Sequence, residues 1–552
     1  MPTRSAEFDY VIVGAGTAGC VLANRLTADP AVRVALIEAG PSDARTKVRI
    51  PAAVAAAIAD PQIGWGFKSA PQRHLNGRQI PLPRGKIFGG CSSINGMAYF
   101  RGHPRDFDDW VSDGAAGWGY EDVLPYFRKS ENNETWSASR YHGSGGPMNV
   151  VDIPRPNPLI RRFLEATSSL GYKRCSDFNG ADPEGFGARQ ATIRNGRRES
   201  MSTAYIDPIR GRGNLEILTN ALVTNILITD KHAGGVIVER DGTRRELLAR
   251  REVIVSGGSY ASPQILMLAG IGDGATLQAL GIGVQHDLPG VGVGLQDHPA
   301  SVIQLETRDP TSYGVSLKAL PRGVWNVLEY ALWRQGPLAS NVLEATGFVR
   351  TRPQMERPDL QIVFMPMLRN PTGSPLPVGH GYGIIPIAVR PKSRGKVTLA
   401  SPDPRAAPVI DANYLDHPDD LRTLVDGMQI ARRILAAPVF DVLQGAELIP
   451  GSAVADEASL TQYVRNSAVS VHHPVSTCRM GVDPLAVVDP QLRVRGMSGL
   501  RVVDASVFPR VVAGNTNAAV VMVAEKAADL ILAPAGRAAP GQSAVSSVEM
   551  AD

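Results

Sequence analysis

"FDYVIVGAGTAGCVLANRLTADPAVRVALIEAG", residues 8–40, decides the fold class. An apolar run ends at Val13, glycines break it, a helix pattern continues to about Ala28, and a second apolar run, "VRVALIEAG", follows. That is a strand–helix–strand unit of about thirty residues. Gly14, Gly16 and Gly19 form G-x-G-x-x-G, and Glu38 closes the second strand. The glycines let the backbone turn tightly and approach a pyrophosphate, which then sits at a helix amino terminus where free N–H groups and the dipole favour negative charge. Glu38 stands where a carboxylate accepts hydrogen bonds from a ribose. The motif follows a strand, opens a helix and has its acid at the proper distance, so it reads as a dinucleotide site. It does not choose NAD over FAD.

Outward from this unit the texture varies. Residues 51–95 are rich in Pro and Gly without sustained periodicity, which suggests an extended excursion over a surface. "NLEILTNALVTNILI" and "AGGVIVERDG" read as strands, and "REVIVSGGSYASPQILMLAGIG" as strand, turn and helix. Between about Val302 and Gln462, "LKALPRGVWNVLEYALWRQG" reads as helix and "DLQIVFMPML" and "GYGIIPIAVRP" as strands, a second sheet with covering helices. "LRVVDASVFPR" and "NTNAAVVMVAEKAADLILA" then restore the strand-then-helix rhythm.

A chain of 552 residues exceeds what one simple core supports, so two or more units are expected. Hydrophobic content of 43% with 20% charged residues fits a globular protein. The net charge of +4 forms no basic stripe, so nucleic-acid binding has no support. No apolar run reaches the roughly 18 to 20 residues of a membrane-spanning helix. No apolar signal segment precedes the first strand in "MPTRSAEFDYVIVGAG", which points to a cytoplasmic protein. Peripheral attachment at the inner membrane stays open, because a linear sequence cannot display a surface patch. Cys20, Cys91, Cys175 and Cys478 are dispersed, with no C-x-x-C pair, and read as small buried residues.

His472 and His473 adjoin in a chain with ten histidines. Neighbours in an extended segment point to opposite faces, so the pair is not expected to grip one metal, and no metal site is expected elsewhere. From the residues alone, each ring is more readily structural than chemical.

"GKIFGGCSSINGMAYFRGHPRDFDDW", residues 85–110, and "GGSYASPQILMLAGIG", residues 257–272, resemble the two signatures of the glucose–methanol–choline oxidoreductases. "LPGVGVGLQDHP", "RPKSRGKVTLASPDPRAAPVIDANYL" and the run from Ser470 to Leu532 match the family's texture, in its order, over nearly the whole chain. The tone is that of its bacterial choline dehydrogenase-like and alcohol dehydrogenase-like branch. The resemblance implies an α/β molecule in two parts. A discontinuous Rossmann-type FAD-binding part would comprise 1–160, 205–301 and 463–532. A substrate-binding part, 161–204 and 302–462, would be built on an antiparallel-type sheet covered by helices. Residues 533–552, small and polar, are expected to be a disordered tail.

The resemblance also implies oxidation of an alcohol, with hydride passing to flavin N5 and O2 or a quinone-type carrier as acceptor; the oligomeric state is unspecified. Gly14, Gly16, Thr17, Ala18, Gly19, Glu38 and Ala39 would hold the ADP half of FAD. Gly89, Gly90, Ser92, Asn95, Gly96, Met97 and Ala98 would pass near the pyrophosphate and isoalloxazine, and Val223 near the adenine. Asp504 and Ala505 would meet the ribityl region. His473 and Asn515 would be the catalytic pair, with Asn515 and Thr516 at the flavin and His472 beside them in support. Three positions depart from the family pattern. Ile94 stands where some oxidases attach FAD through a histidine, so a non-covalent cofactor is expected. Ser476 replaces a glycine and, if that position has positive φ, is strained. Ala269 replaces a serine.

The residue types suit the reaction. An alkoxide gives up hydride far more readily than an alcohol, a neutral imidazole can take the hydroxyl proton, and an asparagine amide can donate a hydrogen bond to the alkoxide oxygen. The helix that begins after "GNT" would present its amino terminus to negative charge on the reduced flavin. The substrate expected is a primary aliphatic or aromatic alcohol. Choline, for which Glu344 would supply the acid, is the alternative, and a cyanohydrin-cleaving lyase on the same scaffold is the rival of another class.

Overall fold

In the computed structural model, which describes residues 6–368, 378–443 and 445–533, the first unit forms as the glycine motif predicts. The strand Ala6–Val13 leads into the helix Thr17–Leu26 and returns as Val34–Ile37. The two strands run parallel, Tyr10 opposite Val34 and Val13 opposite Ile37. Both are buried on both faces, which is why they read as unbroken Val/Ile runs.

Five further strands complete a seven-stranded sheet. Leu215–Leu218 lies beside Val34–Ile37; Thr243–Val255 lies on the other side of the first strand, with Leu500–Val502 parallel to its end. His232–Arg240 and Leu222–Thr229 extend it antiparallel. Thus the start, the middle and the end of the chain meet in one sheet. The last helix, Asn517–Leu532, is apolar nearly all round and packs on Thr17–Leu26. Its one buried acid, Glu525, is held by Arg25 at 2.6 and 2.8 Å and by the Tyr205 hydroxyl at 2.8 Å.

The second sheet is antiparallel. Its main path runs Ala446–Ile449, Ile303–Thr307, His380–Ala388, Leu360–Met365, Ala345–Val349 and Gly185–Ala188. The helix Pro418–Leu435 covers it and packs in turn on Pro158–Ser169. Two short strands, Pro299–Ala300 and Val469–Ser470, join the second sheet from stretches otherwise adjoining the first. They stitch the layers together beside His298 and His473. Residues 51–95 differ from the extended path read from sequence: Val54–Ile58 is helical, with 3-10 turns at Pro51–Ala53, Arg73–Leu75 and Gly90–Ser93. An alanine-rich helix of one turn is too short to show a period. The tail expected over 533–552 lies, Ala533 apart, outside the described residues.

Candidate active site

A continuous cavity runs from the glycine loop to His473 and Asn515. Gly14, Gly16, Thr17, Ala18, Glu38 and Ala39 line one stretch of it, and Gly90, Asn95, Gly96, Met97 and Ala98 another. Val223, Asp504, Ala505, Asn515 and Thr516 complete the expected residues found in its walls. Gly19, Gly89 and Ser92 are not in the walls, and their geometry explains why. A Cβ on Gly19 would stand 1.9 Å from the Gly14 carbonyl oxygen, so this glycine lets the helix press against its own turn. The Gly89 N–H is tied to the Ala15 carbonyl at 2.8 Å. The Ser92 hydroxyl donates to the Gly89 carbonyl at 2.6 Å and accepts from the Met201 N–H at 2.9 Å, bracing the loop from behind.

Several features fit a bound dinucleotide. Gly14 has φ +105°, and a Cβ there would meet the Ser256 carbonyl at 2.5 Å; a Cβ on Gly90 would meet Gly16 Cα at 2.7 Å. The two glycine-rich loops thus touch backbone to backbone. Helix Thr17–Leu26 opens at Gly16 with no side-chain cap, and helix Asn517–Leu532 opens at Thr516 likewise, so both ends present N–H groups near the cavity. The Ser256 hydroxyl, buried in the wall, has no partner in the protein. Glu38 accepts from the Ala15 N–H at 3.2 Å and the Gly40 N–H at 2.8 Å, and burial pushes its pKa up to about 7.

If Glu38 takes the ribose, as the resemblance implies, that value would make cofactor retention pH-dependent. Only the ionised carboxylate accepts from both ribose hydroxyls, and its fraction falls tenfold per unit once the pH drops well below 7. Affinity of the apoprotein for FAD is therefore expected to fall several-fold from pH 8 to pH 6, measured by quenching of flavin fluorescence. In Glu38→Gln the dependence should vanish; an unchanged slope would assign it to another group.

At the far end, His473 is 8% exposed and held on three sides. Its Nε2 lies 2.9 Å from Asn515 Nδ2, its Nδ1 lies 3.0 Å from His298 Nδ1, and its backbone N–H donates to Asp297 Oδ1 at 2.7 Å. The orientation of the Asn515 amide, with its nitrogen toward the ring, assigns the protons. An amide nitrogen can only donate, so His473 Nε2 accepts and the ring's proton sits on Nδ1. That N–H donates to His298 Nδ1, whose own proton is then on Nε2. The lone pair of Nε2 thus faces the cavity side of the ring, where the Asn515 amide occupies it. Burial drives the His473 pKa well below the ordinary histidine range, and the His298 and His472 rings and Arg84 lower it further. Burial lowers His298 to about 4.

Asp297 braces the arrangement: it also accepts from the Tyr414 hydroxyl at 2.6 Å and from Ser470, and burial raises its pKa. Asp297 and His298 were not singled out in the sequence, although both stand in "LPGVGVGLQDHP". Pro474 receives the Ser259 hydroxyl on its carbonyl at 2.6 Å. His472 lines the cavity with φ +71°, and its carbonyl accepts from Arg84 at 2.7 Å. Ser476 has φ +75°, the strained conformation its replacement of glycine raised. Cys20, Cys175 and Cys478 are buried, whereas Cys91 is half-buried in the cavity wall. Glu344 is buried away from the cavity, accepting from the Asn157 N–H at 2.7 Å, the Tyr313 hydroxyl at 2.8 Å and the Ser340 hydroxyl at 2.5 Å.

Residues 8–300 and 391–524 match two family models, each described as GMC oxidoreductase. The chain is 42% identical over 527 residues to "Alcohol dehydrogenase [acceptor]" of Pseudomonas putida, covering 95% of this chain and 96% of that one. It is equally 42% identical over 528 residues to an oxygen-dependent choline dehydrogenase of Rhizobium etli, with the same coverage. Among solved structures it is similar to a pyridoxine 4-oxidase from Mesorbium loti (31% identity, TM-score 0.85, 94% of this chain and 98% of that one). A variant of the formate oxidase of Aspergillus oryzae RIB40 is similar too (28% identity, TM-score 0.89, 96% and 98%).

Proposed function

The chain belongs to the GMC oxidoreductase family, whose cofactor is FAD, and from that premise we propose that it oxidises an uncharged primary aliphatic or aromatic alcohol with His473 as the base. The FAD is non-covalent, Ile94 offering no atom for attachment. Gly14 to Ala18, Glu38 and the turn around Gly90 would hold it. When bound, FAD supplies the acceptor for the hydride from the alcohol carbon.

The chain's own residues manage the proton. An alcohol oxygen that enters between His473 Nε2 and Asn515 Nδ2, replacing their direct 2.9 Å contact, gives its proton to Nε2 and receives an N–H from Asn515. As Nε2 takes that proton the ring becomes cationic, and the alkoxide beside it is stabilised by charge as well as by the amide. His298 holds the ring by its other nitrogen, so the lone pair stays aimed at the oxygen. The wall beside His473 is apolar: Ala98 and Val471 pack with Phe348, Leu343 and Met367.

The observation that favours an uncharged alcohol over choline is the charge of the cavity. Among the described residues, the carboxylates in its walls are Glu38 and Asp504, and both are engaged by loop N–H groups. Two of its three aromatic residues already face the protein's own cations: Lys86 lies 4.9 Å over Trp65, and Arg84 lies 5.8 Å over Tyr260, while Phe67 stacks on Trp65. A quaternary ammonium needs such faces free or an acid beside them.

The test is an anaerobic panel. 1-Alkanols and benzyl alcohols should bleach the flavin, with choline at least about 100-fold less efficient, the equivalent of some 3 kcal/mol. Choline matching the best alcohol would move the substrate to the ammonium class. Flavin left oxidised by every alcohol would favour the lyase. Reoxidation by air or by a soluble quinone then assigns the acceptor.

A further inference from the structure

Nine of the nineteen large apolar side chains exposed among the described residues gather in one place, between Val315 and Trp333. Of the helix Leu320–Trp333, only Glu329 and Tyr330 are buried. Leu317 is 90% exposed, Leu320 59% and Leu332 66%, and Leu328 continues the row at helical spacing with Trp325 and Trp333 beside it. A helix of a globular protein ordinarily turns such a row inward. Among the described residues no element covers it, although water contact with a contiguous patch is costly.

The charges around the patch select its partner. Lys318, Arg322 and Arg334 flank it. The one acid in the segment, Glu329, is buried and engaged by Arg155 at 2.5 Å. The exposed face therefore combines leucines, valines and two tryptophans with cations and no free carboxylate. Among the described residues no helix is long and apolar enough to cross a membrane, so this one can only lie flat. Apolar residues with tryptophans at the border and cations on the flank match the boundary of a bilayer with anionic headgroups. A two-fold contact between copies would bring the same cations together with no acid to pair them.

We propose that Leu317–Trp333 is a docking surface for an anionic lipid bilayer, the helix lying in the headgroup plane with its leucines among the acyl chains. The surface is joined to the cavity. Pro337–Ala339, just beyond the helix, packs on Pro51–Ala53, which leads into the short helix whose Ile58 lines the cavity. Asn341 donates to the carbonyl of Gly96, another wall residue, at 2.9 Å. An enzyme seated this way has its cavity tied to a segment in contact with lipid, where apolar alcohols and lipid-soluble acceptors concentrate.

The test is co-sedimentation of the holoenzyme with vesicles of phosphatidylcholine, alone or mixed with phosphatidylglycerol. Binding is expected to the mixed vesicles, roughly tenfold or more weaker to phosphatidylcholine alone or in high salt. The tryptophan emission should shift to the blue. Leu320→Ser/Leu328→Ser should weaken binding at least about tenfold, while leaving bleaching by a water-soluble alcohol unchanged. Absence of binding to either vesicle overturns the proposal. So does a double variant that binds as well as the parent. A parent that is a dimer in solution and becomes a monomer in the double variant, without binding vesicles, would assign the face to a second copy. None of these readouts depends on which alcohol is oxidised.

Discussion

His473→Ala is expected to slow anaerobic bleaching by alcohol by roughly 10²–10⁴-fold while the flavin stays bound. The ring contacts Asn515 and His298, and the His473 backbone N–H, which the variant keeps, bonds Asp297; none of these is in the glycine loops, so loss of the ring would remove the proposed proton acceptor without disturbing the proposed dinucleotide cradle. The pH profile separates a base from a packing residue. A protonated ring cannot accept, so the rate must fall on the acid side of its pKa. Because burial, the His298 and His472 rings and Arg84 all lower that pKa, the neutral form persists to lower pH than in an ordinary histidine. The acid limb of the reduction rate should therefore lie below about pH 6.5. It should disappear in His473→Ala, leaving a slow, flat profile. An acid limb centred above pH 6.5, or one surviving in the variant, would place the base elsewhere. Asn515→Ala should be milder, since it removes one hydrogen bond to the alkoxide and leaves the proton's path intact.

Legibility in the sequence followed the range of the interactions. The glycine loop could be read because its chemistry is local: strand, tight turn, helix and acid lie within forty residues and each type has one physical reason. The second sheet was legible where its strands are β-branched, as in "DLQIVFMPML", and hidden where they are not. Gly185–Ala188 is a strand by pairing with Ala345–Phe348, and it needs Gly187 because a Cβ there would stand 1.8 Å from the Cys175 carbonyl oxygen, a demand of close approach that propensity reads as a turn. His473 and Asn515 could be singled out only by resemblance, since one histidine and one helix-end asparagine have bland alternatives. His298 was missed because its meaning depends on a contact 175 residues away, and nothing local distinguishes a proton-holding ring from a core one. The half-exposed face of Leu320–Trp333 was legible as a helix but not as a surface: an amphipathic pattern says that a face is apolar, never whether the fold covers it.

Two glycines of the same motif are expected to fail in different ways when replaced. In Gly19→Ala the new methyl would stand 1.9 Å from the Gly14 carbonyl oxygen and 3.1 Å from its carbon, both backbone atoms that no side-chain rotation can relieve. Helix Thr17–Leu26 must move off the turn by more than an ångström. That displaces the N–H groups of Thr17 and Ala18 and loosens the packing against Asn517–Leu532, where Thr17 donates to the Asn517 side chain at 2.8 Å. The preparation should be colourless, take up no FAD on reconstitution and melt several degrees below the parent apoprotein. At Gly16 the same methyl finds only the Ser256 carbonyl oxygen, 4.0 Å away, because it would point into the cavity. Gly16→Ala should therefore melt with the parent apoprotein and still lose at least about tenfold in FAD affinity, since its Cβ would occupy the path proposed for the pyrophosphate. A yellow, fully loaded Gly19→Ala would mean that the helix does not need this close approach. A Gly16→Ala protein with parental affinity would mean that the pyrophosphate does not cross the loop there, and the cofactor would have to run along a different wall of the cavity.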